Sequence, residues 1–294
     1  MLDVFFISMG EEGSEANWQR LLEFVPDAKR VENIIGIYNV HKECAMRSST
    51  KNFWVVDADA WIVDDFDFSW EPDTTAVHWG VPENECVVIW PSVNPVNDLV
   101  YGYGAVKVFS RTPFINNNKW AIDMSTSLSD VVISKDVVSC ETRFNATPES
   151  AWIGAFRESA KLASLAVVKI RIRKSIARQN AELDALADFV DAQDFSSDKK
   201  TNYRNVQTIF IKDRFKSETD IFSYWNEIET CSHRRLIWCT LGWNKPNGKY
   251  SVLGARAGAA FGLKHGDDLL TLNCLNDWPW LKKEFKKEFK NVNV

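Results

Sequence analysis

The sequence predicts an α/β protein with a mixed, mostly parallel central sheet flanked by helices. The first observation is an order of strand, helix, strand, helix, strand over residues 4–57. The second is the run at 53–56, whose aromatic and β-branched residues are typical of a strand buried on both faces. The third is that this run ends in Asp57 and Asp59, at the position where open α/β sheets bind ligands.

Each element follows from a local pattern. Apolar side chains at helical spacing precede Pro26, and a polar loop at 33–39 leads into a second helix. Asp and Phe alternate at 64–68, which predicts an exposed strand edge rather than a second metal site. The predicted strands are residues 4–8, 28–31, 53–57, 75–79, 86–90 and 99–109, and the predicted helices are residues 17–24, about 40–48 and 159–181.

Composition restricts the class of protein. With 294 residues, 45% of them hydrophobic, the chain is long enough for a large core. It contains no apolar run near the ~20 residues that span a bilayer and no signal peptide, so we expect a cytoplasmic protein without membrane contact. Its six cysteines include no C-x-x-C pair, which argues against a disulfide framework or a structural zinc. A net charge of -5 argues against a uniformly basic nucleic-acid binder but permits a local basic face.

Asp57 and Asp59 are the candidate metal ligands. Two carboxylates one residue apart, with few basic residues nearby to neutralise them, suit Mn²⁺ or Mg²⁺ that also holds a diphosphate. The alternative is a solvated strand end without a ligand, because short acidic pairs are frequent.

The loop before the second helix carries candidate diphosphate contacts. Asn39, His41 and Lys42 lie where a strand end turns into a helix N-terminus, a place that favours anions. Capping of the helix by Asn39 is the alternative.

A second polar region has the composition of a sugar pocket. Asn94 and Asn97 precede Tyr101 and Tyr103, which alternate with glycines in a strand pattern. Sugar pockets combine aromatic faces with a few placed polar groups. A β-bulge with core tyrosines explains the pattern equally well.

Two carboxylates are candidates for the base that takes a proton from an acceptor hydroxyl. Asp123 lies in a stretch rich in small hydroxyl residues and is the first candidate. Glu149 is the substitute, although its place at the start of a helix gives it a sufficient structural role.

Several of these stretches resemble a family of GT-A-type glycosyltransferases encoded by tailed bacteriophages. The Asp-x-Asp pattern is the signature of nucleotide-sugar enzymes of this type, and the resemblance covers most of the chain except about 167–251. Gly104-Ala105 stands where the family has paired glycines, and Glu149 where it has an aromatic residue. The similar stretches are residues 4–8, 36–42, 53–59, 94–97, 101–107, 122–127, 144–152, 156–158, 258–263 and 276–282.

The resemblance implies a GT-A-like domain that transfers a sugar from a UDP-sugar with the help of a divalent cation on Asp57 and Asp59. Members of the family modify 5-hydroxymethylcytosine in phage DNA, so it implies double-stranded DNA as acceptor in the host cytoplasm, with arabinose favoured and glucose next. A glycan or protein acceptor is the alternative, and a non-catalytic nucleotide-sugar or DNA-binding protein is the alternative from another class. The resemblance adds Ser8, Gly36 and Ala58 to the donor contacts.

Two later segments complete the predicted site. GT-A enzymes often close the donor site with a C-terminal segment. The resemblance therefore implies His265 as a third metal ligand and Lys264 as a diphosphate contact. The alternative is that these residues lie in an exposed loop without a ligand. Residues 159–181 are basic enough to contact DNA phosphates, against a solvated amphipathic helix as the alternative. The predicted DNA contacts are Lys169, Arg171, Arg173, Lys174 and Arg178, and the predicted domains are a catalytic core at 1–160, a basic insertion at 161–250 and a closing segment at 251–294.

Overall fold

A computed structural model describes residues 1–94, 99–116, 124, 128–129, 131–143, 145–164, 246–266 and 268–289. The chain divides into two compact units. The first contains Met1–Ser150 together with Asn273–Lys290, and the second contains the described part of Ala151–Leu272. The chain after residue 272 therefore returns to the first unit.

The first unit is built on an eight-stranded sheet. Its strands are β1 (Asp3–Ser8), β2 (Lys29–Glu32), β3 (Asn52–Asp57), β4 (Ala60–Ile62), β7 (Val87–Asn94), β8 (Leu99–Ser110), β9 (Val132–Ser134) and β10 (Cys140–Thr142), while β5 (Val77–His78) and β6 (Val81–Pro82) form a separate hairpin. The helices among the described residues are α1 (Ser14–Phe24), α2 (Ile37–Arg47), α3 (Thr112–Asn116), α4 (Pro148–Ala163), α5 (Gly248–His265), α6 (Leu269–Leu272) and α7 (Trp278–Glu288).

The order of the strands is β2-β1-β3-β8-β7-β10-β4, with β9 paired to β7. β1 is parallel to both β2 and β3, whereas β8 is antiparallel to both β3 and β7. The predicted α/β class and mixed sheet are confirmed. Four of the seven strand pairings in this sheet are parallel, β1 with β2 and β3 and β7 with β9 and β10, and β8 separates the two parallel groups.

Side chains of β3 fill the core on both sides of the sheet, as its apolar run predicts. Trp54 packs with Phe66, Phe68 and Trp90 on one side, and its ring lies 4.4 Å from that of Trp90. On the other side, Phe53 joins the cluster that contains residues of α2 and α3. Such burial of large aromatic rings supplies much of the hydrophobic free energy of folding.

Three local predictions are wrong in detail. Phe66 and Phe68 belong to the core and lie in no strand, so residues 64–68 are not an exposed strand edge. α2 begins at Ile37 instead of about 40, because Gly36 with φ of 94° takes the N-cap position. The predicted strand at 75–79 contracts to Val77–His78.

The second unit contains a close helix pair. Glycines of α5 at four-residue intervals lie against the backbone of α4: Gly254 on Trp152, Gly258 on Phe156 and Gly262 on Ala160. A Cβ atom on Gly258 would lie 2.1 Å from the carbonyl oxygen of Phe156, so only glycine permits this approach. Residue numbers increase in the same direction along both helices, so α4 and α5 run parallel.

Of the helices in the described residues, none has the length and hydropathy required to cross a bilayer.

Candidate functional site

The carboxyl ends of β1 and β3 lie side by side. Ile7 pairs with Asp57, and Ser8 pairs with Glu32 at the end of β2. The chain leaves β1 through α1 to β2 on one side, and it returns through α2 to β3 on the other. Such a reversal of strand order opens a crevice at the carboxyl ends, which is where α/β sheets bind ligands.

The turn that carries the two carboxylates is fixed by two other elements. The side-chain amide of Asn17 in α1 donates a 2.7 Å hydrogen bond to the carbonyl oxygen of Ala58. The backbone N–H of Arg143, just after β10, donates a 2.7 Å hydrogen bond to the carbonyl oxygen of Asp59. Asp57 and Asp59 therefore project from a turn that is held on both sides.

A buried lysine neutralises part of this acidic pair. Lys107 in β8 is 8% exposed, and its Nζ donates a 2.7 Å hydrogen bond to Oδ2 of Asp57. The expectation that few basic residues lie near the pair is wrong. Lys107 is 50 positions away in the sequence, but it lies close to Asp57 because β8 pairs with β3. Oδ1 of Asp57 is buried, and it has no hydrogen-bond partner in the part of the chain that the structure describes.

A divalent cation fits this donor set. Hard cations prefer carboxylate oxygens, and the buried Oδ1 of Asp57 lacks the partner that such an atom normally has. Across the described ranges, no group of three or more His, Cys, Asp and Glu side chains could hold a metal ion. A cation on Asp57 and Asp59 would therefore need further ligands from a bound diphosphate.

The loop after β1 is ordered by its own carboxylate. The Ser8 hydroxyl and the Met9 N–H both donate to Oε2 of Glu11, over 3.0 and 2.8 Å. The N–H of Asn33 donates to the carbonyl oxygen of Ser8 and ties this loop to the loop after β2. Ser8, one of the predicted donor contacts, therefore lies at the crevice with its hydroxyl already engaged.

The residues predicted to contact a diphosphate at the start of α2 have different surroundings. Gly36 is the N-cap, and the Asn39 amide donates 2.9 Å to the carbonyl oxygen of Ile35, so Asn39 does not cap the helix in the predicted way. Lys42 is half-buried.

His41, which is predicted as a diphosphate contact, is a core residue. It is 0% exposed, its Nδ1 lies 2.7 Å from the carbonyl oxygen of Ile37, and its ring meets that of Phe109 edge-on at 5.1 Å. That carbonyl oxygen can only accept, so Nδ1 carries the proton.

Only the backbone is described for the residues of the predicted sugar pocket that lie in β7 and β8. β7 and β3 are both antiparallel to β8, so Asn94 ends β7 at the same edge of the sheet as Asp57. Tyr101 pairs with Ser92, whereas Trp90 pairs with Val106, so residues 102–105 form a bulge in β8. The bulge supports the structural alternative for the glycines. Asn97 lies outside the described residues, and so do the side chains of Asn94, Tyr101 and Tyr103.

Of the two candidate bases, Glu149 is described and Asp123 lies outside the described residues. Glu149 is in the first turn of α4, where its Oε1 lies 3.6 Å from Nζ of Lys282 in α7. Thr147 and Ser150 cap the helix reciprocally: the Thr147 N–H donates to the Ser150 hydroxyl and the Ser150 N–H donates to the Thr147 hydroxyl. The cap therefore does not use the Glu149 side chain, which is paired with Lys282 instead.

The remaining predicted contacts belong to other parts of the chain. Lys264 and His265 form the last turn of α5 in the second unit, where the His265 ring lies 4.4 Å from that of Phe261. The five residues predicted to contact DNA, Lys169, Arg171, Arg173, Lys174 and Arg178, lie outside the described residues.

Comparison of the chain with protein-family models, with curated proteins and with solved structures gives no significant match.

Three residues of the site were missed in the sequence: Asn17, Lys107 and Arg143. Asn17 is at the start of a predicted helix, and Lys107 is the one charged residue in an otherwise mostly apolar predicted strand. A lysine inside such a strand requires a buried partner, and that requirement was the available signal.

Proposed function

We propose that the chain is a metal-dependent glycosyltransferase that moves a sugar from a UDP-sugar to 5-hydroxymethylcytosine in double-stranded phage DNA. The observation that carries the proposal is the acidic turn at the carboxyl end of β3, beside the reversal of strand order. The sequence resemblance to phage glycosyltransferases supplies the donor and acceptor classes, with arabinose favoured over glucose.

The residues of the first unit fit the donor half of this reaction. Asp57 and Asp59 would hold Mn²⁺ or Mg²⁺, which when bound neutralises the charge that develops on the departing diphosphate. Asn17 and the backbone of Arg143 keep the turn in place, so the carboxylates need little rearrangement on binding. Ser8 and Gly36 flank the crevice from the loops after β1 and β2.

The acceptor half rests on two carboxylates. Asp123 is the first candidate for the base that accepts the proton of the hydroxymethyl group, and Glu149 is the second. A pyrimidine inside a duplex must leave the base stack before its hydroxyl can reach such a base.

The proposal is tested with hydroxymethylated and unmodified DNA of the same sequence. Each is incubated with the protein, Mn²⁺ and a panel of labelled UDP-sugars, and the nucleosides are analysed by mass spectrometry. We expect labelled hydroxymethylcytosine from the first DNA only. Transfer to glycans or proteins with none to DNA would favour the alternative acceptor class.

Acidic variants test the metal turn in the same assay. We expect Asp57→Asn and Asp59→Asn to abolish transfer. Asp67→Asn is the matched control, because Asp67 is exposed and its carboxylate accepts hydrogen bonds from Ser69 nearby. Full activity of both Asp57→Asn and Asp59→Asn would refute the proposed role of the turn.

A further inference from the structure

The helix α7 belongs to the first unit, and one side of it is buried. The Asp277 carboxylate accepts a 3.1 Å hydrogen bond from the Trp280 N–H and caps the start of the helix. Leu281 and Phe285 are 0% and 1% exposed. Because residues four apart lie on the same side of a helix, these two side chains determine which side of α7 faces solvent.

The solvent side of α7 carries four lysines and no acidic residue. At 3.6 residues per turn, the four lysines fall within an arc of about 140° that points away from the buried side. The glutamates of the helix, Glu284 and Glu288, fall outside this arc on one flank. The four residues form the lysine face: half-buried Lys282 and exposed Lys283, Lys286 and Lys287.

The two middle members of the lysine face, Lys283 and Lys286, form no ion pair with the described residues. The attraction of the helix dipole for cations explains a lysine in the last turn, such as Lys286, but Lys283 lies before that turn. Like charges three residues apart destabilise a helix slightly, so this pair has no role in its stability. The lysines at the borders pair with glutamates: Lys282 with Glu149 over 3.6 Å, and Lys287 with Glu284.

The lysine face begins near the acidic turn. The N–H of Arg143 donates to the carbonyl oxygen of Asp59, and Glu149, which pairs with Lys282, follows six residues later. Six residues span at most about 22 Å even when fully extended. Each strand of a DNA duplex carries a phosphate about every 3.4 Å, so phosphates about six base pairs from a nucleotide in the crevice lie at a comparable distance.

We propose that the lysine face of α7 binds the phosphate backbone of double-stranded DNA. This inference rests on the proposed function, because it names a surface that holds the acceptor. Lys283 and Lys286 each contact a phosphate oxygen, which provides affinity that does not depend on the base sequence. The lysine face is separate in the sequence from the predicted DNA contacts at 169–178.

The buried side of α7 argues against a membrane as the partner. An amphipathic helix on a lipid surface inserts its apolar side among the lipids. In α7 that side contains Leu281 and Phe285, which are already buried in the protein. Exposed lysines without an available apolar side suit the phosphates of a nucleic acid.

The test measures binding of the full chain to a labelled, unmodified DNA duplex by fluorescence anisotropy at several salt concentrations. The variant with both Lys283→Gln and Lys286→Gln removes two charges at exposed positions, where substitutions have little effect on folding. Each lost phosphate contact makes the slope of log K against log salt shallower by about 0.9, so we expect a change of about 2. At about 0.1 M salt, the affinity should fall roughly tenfold for each lysine.

Two double variants serve as controls. Lys283→Arg with Lys286→Arg keeps the charge and should keep the salt slope. Arg47→Gln with Lys51→Gln removes the same charge from two exposed residues next to the start of β3, at the other end of that strand from the acidic turn. It should leave DNA affinity unchanged, and an equal loss in this control would show that net charge alone is responsible.

The outcomes separate the inference from the proposed function. If the glutamine variant binds the duplex with the original affinity and salt slope, the lysine face is not part of the interface, while transfer of sugar to hydroxymethylated DNA would still support the proposed function. If the glutamine variant loses binding to phosphatidylglycerol vesicles but not to DNA, the partner is a membrane and the inference is overturned.

A short acceptor gives a second readout. A hydroxymethylated dinucleotide in the crevice is too short to reach α7, so the glutamine variant should modify it at the original rate and modify the duplex with a higher KM. Loss of DNA affinity in the glutamine variant, with no sugar transfer by the original protein to either acceptor, would refute the proposed function and leave the lysine face as a DNA-binding surface.

Discussion

The side-chain amide of Asn17 donates a hydrogen bond to the carbonyl oxygen of Ala58, the residue between the two carboxylates of the acidic turn. Asn17 is 3% exposed, and it reaches the turn from the first turns of α1. The helix that follows β1 therefore holds the end of β3, and the two sides of the crevice form one connected structure.

Replacement of Asn17 should disturb the acidic turn more than the fold. Asn17→Ala leaves the Ala58 carbonyl without its donor, which we expect to cost about 1–3 kcal/mol of stability. We expect Mn²⁺ retention in the presence of UDP to fall about tenfold, as is typical when the support of a metal ligand is lost. Equilibrium dialysis and thermal unfolding measure the two effects.

Asn52→Ala is the matched control for this prediction. Asn52 is also buried, and its amide donates 2.9 Å to the carbonyl oxygen of Asn84 at the opposite end of β3. A similar loss of stability with unchanged Mn²⁺ retention is expected. Equal effects of both variants on Mn²⁺ would contradict a specific role of Asn17.

The glycines of α5 should be essential for the helix pair of the second unit. Gly258→Ala places a methyl group against the backbone of Phe156, which cannot move aside as a side chain can. We expect a loss of about 3 kcal/mol, at the upper end of the usual cost of overpacking. Hydrogen exchange of the α4 and α5 amides should accelerate.

Ala260→Leu is the control, because Ala260 lies on the exposed side of the same helix. It should change stability by less than about 0.5 kcal/mol. Equal effects of Gly258→Ala and Ala260→Leu would refute the close contact.

Asp3 should contribute stability that acid removes. Burial alone would raise the pKa of Asp3, but hydrogen bonds from Lys29 and Ser49 outweigh it and hold the pKa well below the ordinary value of 3.8. A carboxylate with a lowered pKa stabilises the folded state fully above its unfolded pKa, and this contribution is lost as the pH falls below about 4.

The Asp3 prediction is measured by urea unfolding between pH 7 and pH 3. Asp3→Asn should be less stable than the original protein by about 1–3 kcal/mol at pH 7, and the difference should shrink toward pH 3. Asp65→Asn changes an exposed carboxylate and serves as the control. A difference that stays constant with pH would contradict the assignment.

The tip of the β5–β6 hairpin carries a tryptophan in an unfavourable backbone conformation. Trp79 is 95% exposed and has φ of 51°, and Gly80 after it has φ of 85°. Two positive φ values at the centre of a two-residue hairpin loop are typical of a type I′ turn, in which Asn-Gly is preferred. Trp79→Asn should therefore raise stability by about 0.5–1 kcal/mol.

Thermal unfolding tests the Trp79 substitution. The converse control is Asn33→Ala, because Asn33 has φ of 60° and should lose stability when its side chain is replaced. A lower melting temperature for Trp79→Asn would show that the exposed indole contributes contacts that outweigh the strain.

The parts of the fold that could be predicted were those set by neighbouring residues. Burial of β3 on both faces follows from four consecutive apolar residues, and the strand from Leu99 to Ser110 follows from its own length and composition. The end of α1 follows from Pro26, which cannot continue a helix. Each of these signals acts within a few residues.

The missed features depend on strand order, which local patterns do not contain. Lys107 meets Asp57 because β8 lies next to β3, and no local pattern near residue 57 indicates that. His41 has the residue type of a ligand contact, but the direction of its side chain depends on where α2 begins. Gly36 starts that helix without a side-chain cap, so the usual Ser, Thr, Asp or Asn signal was missing.

The parallel course of α4 and α5 has a consequence for protein engineering. Because the glycine contacts align the two helices in the same direction, the end of α4 at Ala163 lies far from the start of α5 at Gly248. At 1.5 Å per residue over about 17 residues, the gap is about 25 Å. A shortened protein in which a designed linker replaces residues 165–245 would need at least about eight extended residues to join them.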